Sequence, residues 1–474
     1  MHSIHTVRKA LPPSVKFQCV LTLFAAIGAS AARADDQPPR YQLKVGQELV
    51  YRTNDPAEES DDGKDRTERL TEWIVDVVDR DKDGKWWLVF RETISRTYFR
   101  DGKETKQEYR SDGYFHLTDS GRFIENPSIR PMNNPTVLFP TLPATAAEMA
   151  SGWEDRLELD TTQRKFRVAG DAPAVEGSWR FVEVPESVLD PIYQMSTQRD
   201  YTFDRQLGLV GKVVSTFKQG WPASAAGKEQ TQTIEFVEAR QLDTSDVQAI
   251  AAQARVYFAA IKEYEATCER ARHEYGSTEK LYAEAEAVLK KLDQQLTLPW
   301  LREMVAGRLK QHTQDARFGL EDSLAFATLV DKPSPDWKTT DLDGKPHELA
   351  DYRGKVVILD FWYRGCGWCV RAMPQMKQLT DDFSGQDVAI LGMNSDRDLD
   401  DARFVIDHLK LNYATLKNGR EKDQISTKYK IHGWPTLVVI DRSGVVRHMH
   451  FGYTPTLRKD LAKKIRELLA EPAG

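Results

Sequence analysis

The chain has 474 residues, which at roughly 100 to 200 residues per domain predicts two to four domains and excludes a single small module. Its 66 Lys and Arg against 72 Asp and Glu leave a formal net charge of −6, without the basic excess of a protein that coats nucleic acid. Hydrophobic residues at 40%, with 11 Trp, 16 Tyr and 19 Phe, exclude wholesale disorder, and four cysteines are too few for a disulfide scaffold of this length.

Residues 1–34 read as an export signal. Arg8, Lys9 and Lys16 stand in an opening segment without acids, and Phe17 to Ile27 form an apolar run too short to span a bilayer. Ala32-Arg33-Ala34 then fits the small-residue cleavage rule, so the mature chain is expected to begin near Asp35; an uncleaved anchor is the alternative. Cys19 lies inside the apolar run rather than at its end, which argues against a lipoprotein signal. After cleavage Cys268, Cys366 and Cys369 remain, and no later stretch is long and apolar enough to insert stably in a membrane.

Residues 41–243 predict an antiparallel β-rich domain, because short alternating runs are broken by Gly, Pro, Asp and Asn. TEWIVDVVD and KWWLVFRET flank a turn at Arg80 to Gly84, and YTFDRQLGLVGKVVSTFK reads as a later hairpin. Phe139 to Pro143, followed by Gly152-Trp153-Glu154, reads as a connection between two β-rich halves. Asp79, Asp81, Asp83 and Gly84 match the first half of a calcium loop, but position twelve is Phe90 instead of a glutamate, so a polar hairpin turn is the preferred reading.

Residues 244–328 shift to Ala, Glu, Lys, Arg, Gln and Leu, with apolar residues at helical spacing: Val256, Ile261, Tyr264, Cys268 and Ala271, then Leu281, Ala285, Val288, Leu289 and Leu292. Gly276-Ser277 and Pro299 break this module into two or three helices. Its charged faces read as solvated surface, with dimerisation through the module as the sharper alternative. Cys268 on the apolar face reads as a small buried hydrophobe, an intermolecular disulfide being the other option.

Asp331 to Pro335 mark a boundary, and residues 332–470 alternate strand and helix: KVVILDFWY, a helix after Cys366, DVAILGMN, a helix around Asp401 to Leu409, WPTLVVID, SGVVRHMHF and a closing helix from Pro455. The fold class is therefore multidomain α+β, with a β-rich domain, a helical module and an α/β domain.

The strongest chemical signal is Cys366-Gly367-Trp368-Cys369, directly after an apolar strand and opening a helix. Free N–H groups and the positive end of the helix dipole favour a thiolate at the first cysteine, the form that attacks disulfides. Two intervening residues let the second sulfur close a disulfide with the first, so Cys366 is the expected attacking thiol and Cys369 the resolving one. Half of a zinc site is the other reading, and it lacks a second CxxC. The scattered histidines form no ligand spacing, and no nucleotide-binding or serine-hydrolase motif is present, so neither metal nor cofactor is expected.

Asp360-Phe361-Trp362, the CGWC segment and Pro374, together with Gly433-Trp434-Pro435-Thr436 before a strand, resemble the thioredoxin superfamily. The stretch PSPDWKTTDLDGKPHELADYRGKVVILDFWYRGCGWC is similar to its TlpA/ResA-like and redoxin (AhpC/TSA-type) branch, whose members begin with a β-hairpin. The resemblance covers residues from about Lys332 to Leu469 and says nothing of the β-rich region. It implies a thioredoxin-like fold for that part and a thiol–disulfide oxidoreductase of the bacterial periplasm or cell envelope. Disulfide-bearing envelope proteins would be the clients, a redox partner would donate electrons, and cytochrome c maturation is one role of such relatives.

By the same resemblance Asp360 is a buried acid relaying a proton from Cys369, Pro435 is a cis-proline whose loop, with Trp434, receives extended substrate, and Pro374 kinks the helix without reacting. Trp362 and Trp368 are expected to form an apolar rim for docking proteins, with plain packing as the alternative. Two features depart from the family: Ala372 stands where relatives often carry a glutamate, and no histidine separates the cysteines. A thioredoxin-fold peroxidase is the alternative within enzymes, although Phe361 to Gly365 do not supply the peroxidatic pattern. An envelope binding protein with an accessory redox module is the alternative of a different class.

Overall fold

The computed structural model describes residues 37–471 apart from 54–57, 60–64, 101–102, 126–134, 157–162, 170–176, 187–188, 223–227, 275 and 420–423. The expected export signal lies outside the described residues. From Pro38 onward the chain packs as one unit.

The first strands are β1 (Gln47–Thr53), β2 (Glu58–Glu59), β3 (Arg66–Arg80), β4 (Trp86–Arg100), β5 (Lys103–Leu117) and β6 (Phe123–Glu125). A short helix α1 (Ala146–Ser151) precedes β7 (Trp153–Arg156), β8 (Gln163–Val168) and β9 (Ser178–Glu186). Helix α2 (Leu189–Tyr193) leads to β10 (Met195–Asp204), β11 (Leu209–Gln219) and β12 (Lys228–Gln241). All twelve strands belong to one sheet in the order β6-β5-β4-β3-β1-β12-β11-β10-β9-β8-β7, with β2 paired to β3. The segment around Phe139 does connect two halves, β1 to β6 and β7 to β12, which fuse through the antiparallel β1–β12 pair.

The sheet curls. Ring contacts of 5.5 to 5.6 Å run from Phe115 on β5 through Phe139 and Tyr41 to Phe203 on β10. Six strand spacings of about 4.8 Å separate β5 from β10 along the sheet, a path that a flat sheet could not bridge with so few rings. The inner face holds an aromatic core that includes Leu138, Phe139 and Leu142 of the connection. Along β4, Trp86, Leu88 and Phe90 enter this core while Trp87 and Val89 face the other way, as strand alternation requires. The β3–β4 turn is a polar hairpin turn: the Asp81 carboxylate accepts N–H bonds from Asp83 and Lys85 at 2.9 and 2.8 Å, and Asp79 pairs with Arg255. Among the described residues no group of three or more His, Cys, Asp or Glu is arranged to hold a metal.

Trp87 and Val89 meet three helices, α3 (Thr244–His273), α4 (Thr278–Gln295) and α5 (Pro299–Ala327), whose apolar stripes form a second core. Tyr257, Ile261, Tyr264 and Cys268 of α3 pack with Leu281, Ala285, Leu289 and Leu292 of α4. The stripe is spent within the chain, and buried Cys268 sits inside it. Val256, expected on the apolar face, is 44% exposed, because the buried register runs through Ala254 and Tyr257 instead.

In the C-terminal part a hairpin, β13 (Lys338–Thr340) and β14 (Pro346–Glu348), precedes a five-stranded sheet. Its strands are β15 (Val356–Trp362), β16 (Val388–Asn394), β17 (Ala414–Lys417), β18 (Thr436–Ile440) and β19 (Val446–Phe451), in the order β17-β16-β15-β18-β19. Strands β15, β16 and β17 are parallel, β18 runs antiparallel to β15, and β19, antiparallel to β18, returns to the first direction. Helices α6 (Gly367–Asp382), α7 (Leu399–Leu409), α8 (Ile425–Lys428) and α9 (Leu457–Ala470) complete the unit. Every residue of β15 is buried, since alternate side chains feed cores on both faces of the sheet. The boundary at Asp331 to Pro335 is docked: main-chain bonds join Asp331 and Lys332 to Val446, and Phe326 and Leu329 enter the sheet's core. Among the described residues no helix is long and apolar enough to cross a membrane.

Candidate active site

Strand β15 ends at Trp362, and a three-residue turn, Tyr363 to Gly365, delivers Cys366 as the N-cap of α6. Cys366 and Cys369 form a disulfide with Cα atoms 5.2 Å apart. The Cys369 N–H points at Cys366 Sγ at 3.1 Å, and the first turn of α6 carries no acid. A negative sulfur at Cys366 is therefore met by a free helix N–H and the positive helix end, with no competing anion in that turn. Cys366 is 6% exposed and Cys369 only 1%, so the first sulfur is the one nearer a partner. Beside it the Trp434–Pro435 peptide is cis, Trp434 is half-buried, and the Tyr363 ring meets Trp434 edge-on at 5.8 Å.

Asp360 is fully enclosed in the middle of the sheet. Loss of water pushes its carboxyl up to about 7, against which a Tyr413 hydroxyl donating at 3.4 Å acts only partly. Asp360 is thus a proton-holding group near neutral pH. Pro374 lies inside α6, which continues through it, and Ala372 is buried against the sheet. Trp368 is 40% exposed, stacks on Tyr453 at 5.8 Å and lies under the Arg371 guanidinium. Trp362 corrects the sequence reading: it is completely buried among Cys369, Val370 and Met373 and forms no rim, because the last residue of β15 still points into the core behind α6.

Sequence reasoning missed Arg364, which is 4% exposed. Its Nε and Nη2 donate to the carbonyl oxygen of Ile192 at 3.0 and 2.5 Å, and its Nη1 donates to Asp401 at 2.8 Å. The guanidinium lies 4.5 Å from the Trp221 ring and 4.1 Å from the Phe404 ring. Trp221 Nε1 also donates to Asp401 at 3.0 Å, and the Trp221 ring stacks on Tyr193 at 5.6 Å. Ile192, Tyr193 and Trp221 belong to the β-rich region, so that region reaches the turn that carries the dithiol. The available signals were an arginine two residues before the first cysteine and a Gly-Trp-Pro break after a strand.

A helix-capping disulfide, a buried acid and a cis-proline on this sheet order define a thioredoxin-type dithiol–disulfide centre. Residues 330–449 match the AhpC/TSA family. Over 138 residues the chain is 32% identical to the thiol-disulfide oxidoreductase ResA of Geobacillus thermodenitrificans, covering 29% of this chain and 76% of that protein. Against ResA of Geobacillus kaustophilus it is 33% identical over 126 residues, covering 27% and 71%. Among solved structures it is similar to a putative thiol:disulfide interchange protein DsbE from Chlorobium tepidum, with 28% identity, a TM-score of 0.28 and coverage of 30% of this chain and 98% of that one. Through its C-terminal domain the chain belongs to the ResA-like thiol–disulfide oxidoreductases of the AhpC/TSA family, and it is an oxidoreductase of that class. The β-rich region and helices α3 to α5 lie outside the matched residues.

Proposed function

We propose that this is an exported enzyme that reduces or exchanges disulfides of cell-envelope proteins through Cys366 and Cys369. The observation that carries the reading is the placement of Cys366 at the start of α6, with Cys369 N–H on its sulfur and a cis-proline loop alongside. The Cys366 thiolate attacks one sulfur of a client disulfide; a Cys366–client bond forms, the client S–S bond breaks, and the other client sulfur leaves as thiolate. Cys369 then passes its proton toward Asp360 and attacks Cys366 Sγ, releasing the second client thiolate and leaving the Cys366–Cys369 disulfide. Two electrons from a dithiol partner restore the reduced enzyme. Relatives named as thiol–disulfide oxidoreductases favour this over a peroxidase.

The test is the Cys369→Ser variant of the mature chain, expressed in the envelope and recovered under acid quench. Envelope proteins linked to Cys366 by reducible bonds are the expected result, and Cys366→Ser should yield none. Equal recovery from both variants, or none from either, would overturn the proposal.

A further inference from the structure

We infer that the β-rich region supplies one wall of the client groove, with Trp221 and Tyr193 as specificity-determining residues for polypeptide disulfides; this rests on the function proposed above. Two aromatic rings, one from each region, flank the main chain immediately before the reactive cysteine. A Cβ placed on Gly365 would stand 2.9 Å from the Tyr363 ring and 3.5 Å from the Trp221 ring. Tyr363 in turn meets Trp434, and Trp221 stacks on Tyr193. Aromatic surface thus runs from Tyr193 to the cis-proline loop past Cys366. Tyr363 is 37% exposed, and Tyr193, Trp221 and Trp434 are half-buried, so each keeps an edge toward solvent.

The wall is fixed rather than a lid. Arg364 uses all three guanidinium nitrogens to hold the Ile192 carbonyl and Asp401, and two rings cover its faces. The Trp221 N–H bonds the Tyr193 carbonyl at 3.0 Å, which ties the two wall residues together. Lifting this element would leave two buried guanidinium N–H groups without the Ile192 carbonyl and bare the face that Trp221 covers, with only Asp401 and Phe404 still on the cation. Because Arg364 and Asp401 satisfy each other, the wall offers rings rather than charge. The fitting occupant is an extended segment with apolar side chains next to its cystine, since aromatic edges bind such groups through area and packing.

The test compares two disulfides on the full mature chain, with dithiothreitol as electron donor: insulin, a polypeptide, and hydroxyethyl disulfide, which has no chain to dock. In Trp221→Ala the ratio of kcat/KM for insulin to that for hydroxyethyl disulfide should fall roughly 10-fold, chiefly through KM. Tyr193→Ala, which removes a ring while keeping the bonds of Arg364 to the Ile192 carbonyl and Asp401, should lower the same ratio and serves if Trp221→Ala fails to fold. An unchanged ratio in a folded variant would overturn the wall, and a raised ratio would make the element a cap over the dithiol instead. Wild-type protein that turns over neither disulfide would instead sink the oxidoreductase reading itself.

Discussion

The carbonyl oxygen of Ile192 accepts two hydrogen bonds from the guanidinium of Arg364, 172 residues away and two residues ahead of the reactive cysteine. Ile192 is in the last turn of α2, where carbonyls have no helical partner and the dipole is negative, so a cation is the fitting cap. This contact fastens the β-rich region to the redox turn. Arg364→Leu removes it and leaves Asp401 without its cation, a loss of about 3 kcal/mol. Amide exchange at Ile192, Tyr193 and Trp221 should accelerate roughly 100-fold, and unchanged protection would show that other contacts hold the regions together.

Asp360 makes stability depend on pH. Its carboxyl titrates near 7 when folded and near 3.8 when unfolded, so the folded state holds the proton more tightly. The stabilising contribution is complete below pH 3.8 and is lost as pH rises through about 7. Asp360→Asn should therefore gain on the wild type between pH 4 and pH 8 by on the order of 4 kcal/mol, read from urea midpoints at both pH values. In the wild type, release of the mixed disulfide should speed up as pH rises through about 7, and in Asp360→Asn it should be slower and lose that rise.

Trp362 and Trp368 should separate packing from docking. Trp362→Ala empties a completely buried site and should cost about 3 to 5 kcal/mol in chemical unfolding. Trp368→Ala, at a 40% exposed position, should change stability by less than about 1 kcal/mol while raising KM for insulin.

The reduction potential should lie nearer about −270 mV than −120 mV, because no histidine stands between the cysteines to stabilise the thiolate further. Equilibration with dithiothreitol or glutathione buffers measures it. Trp368→His should raise it, and a fall would refute that account.

The redox centre was legible in the chain because its determinants are local. A strand of seven buried residues, a turn and a helix opening on CxxC place Cys366 by backbone geometry alone, and Trp-Pro before an apolar strand marks the cis loop. Amphipathic periods likewise outlined a module of two or three helices and the alternating strands, although the exposed Val256 shows that period alone does not set the register of a helix against its partner. Trp362 was ambiguous for a related reason: an aromatic beside a dithiol serves a core or a rim, and which way the strand end faces depends on what packs behind it. Only the tertiary structure joined Ile192 and Trp221 to Arg364, and Tyr413 to Asp360. Those contacts span 53 to 172 residues of chain, and single-sequence periodicity carries no information about partners brought together by the closure of such long loops.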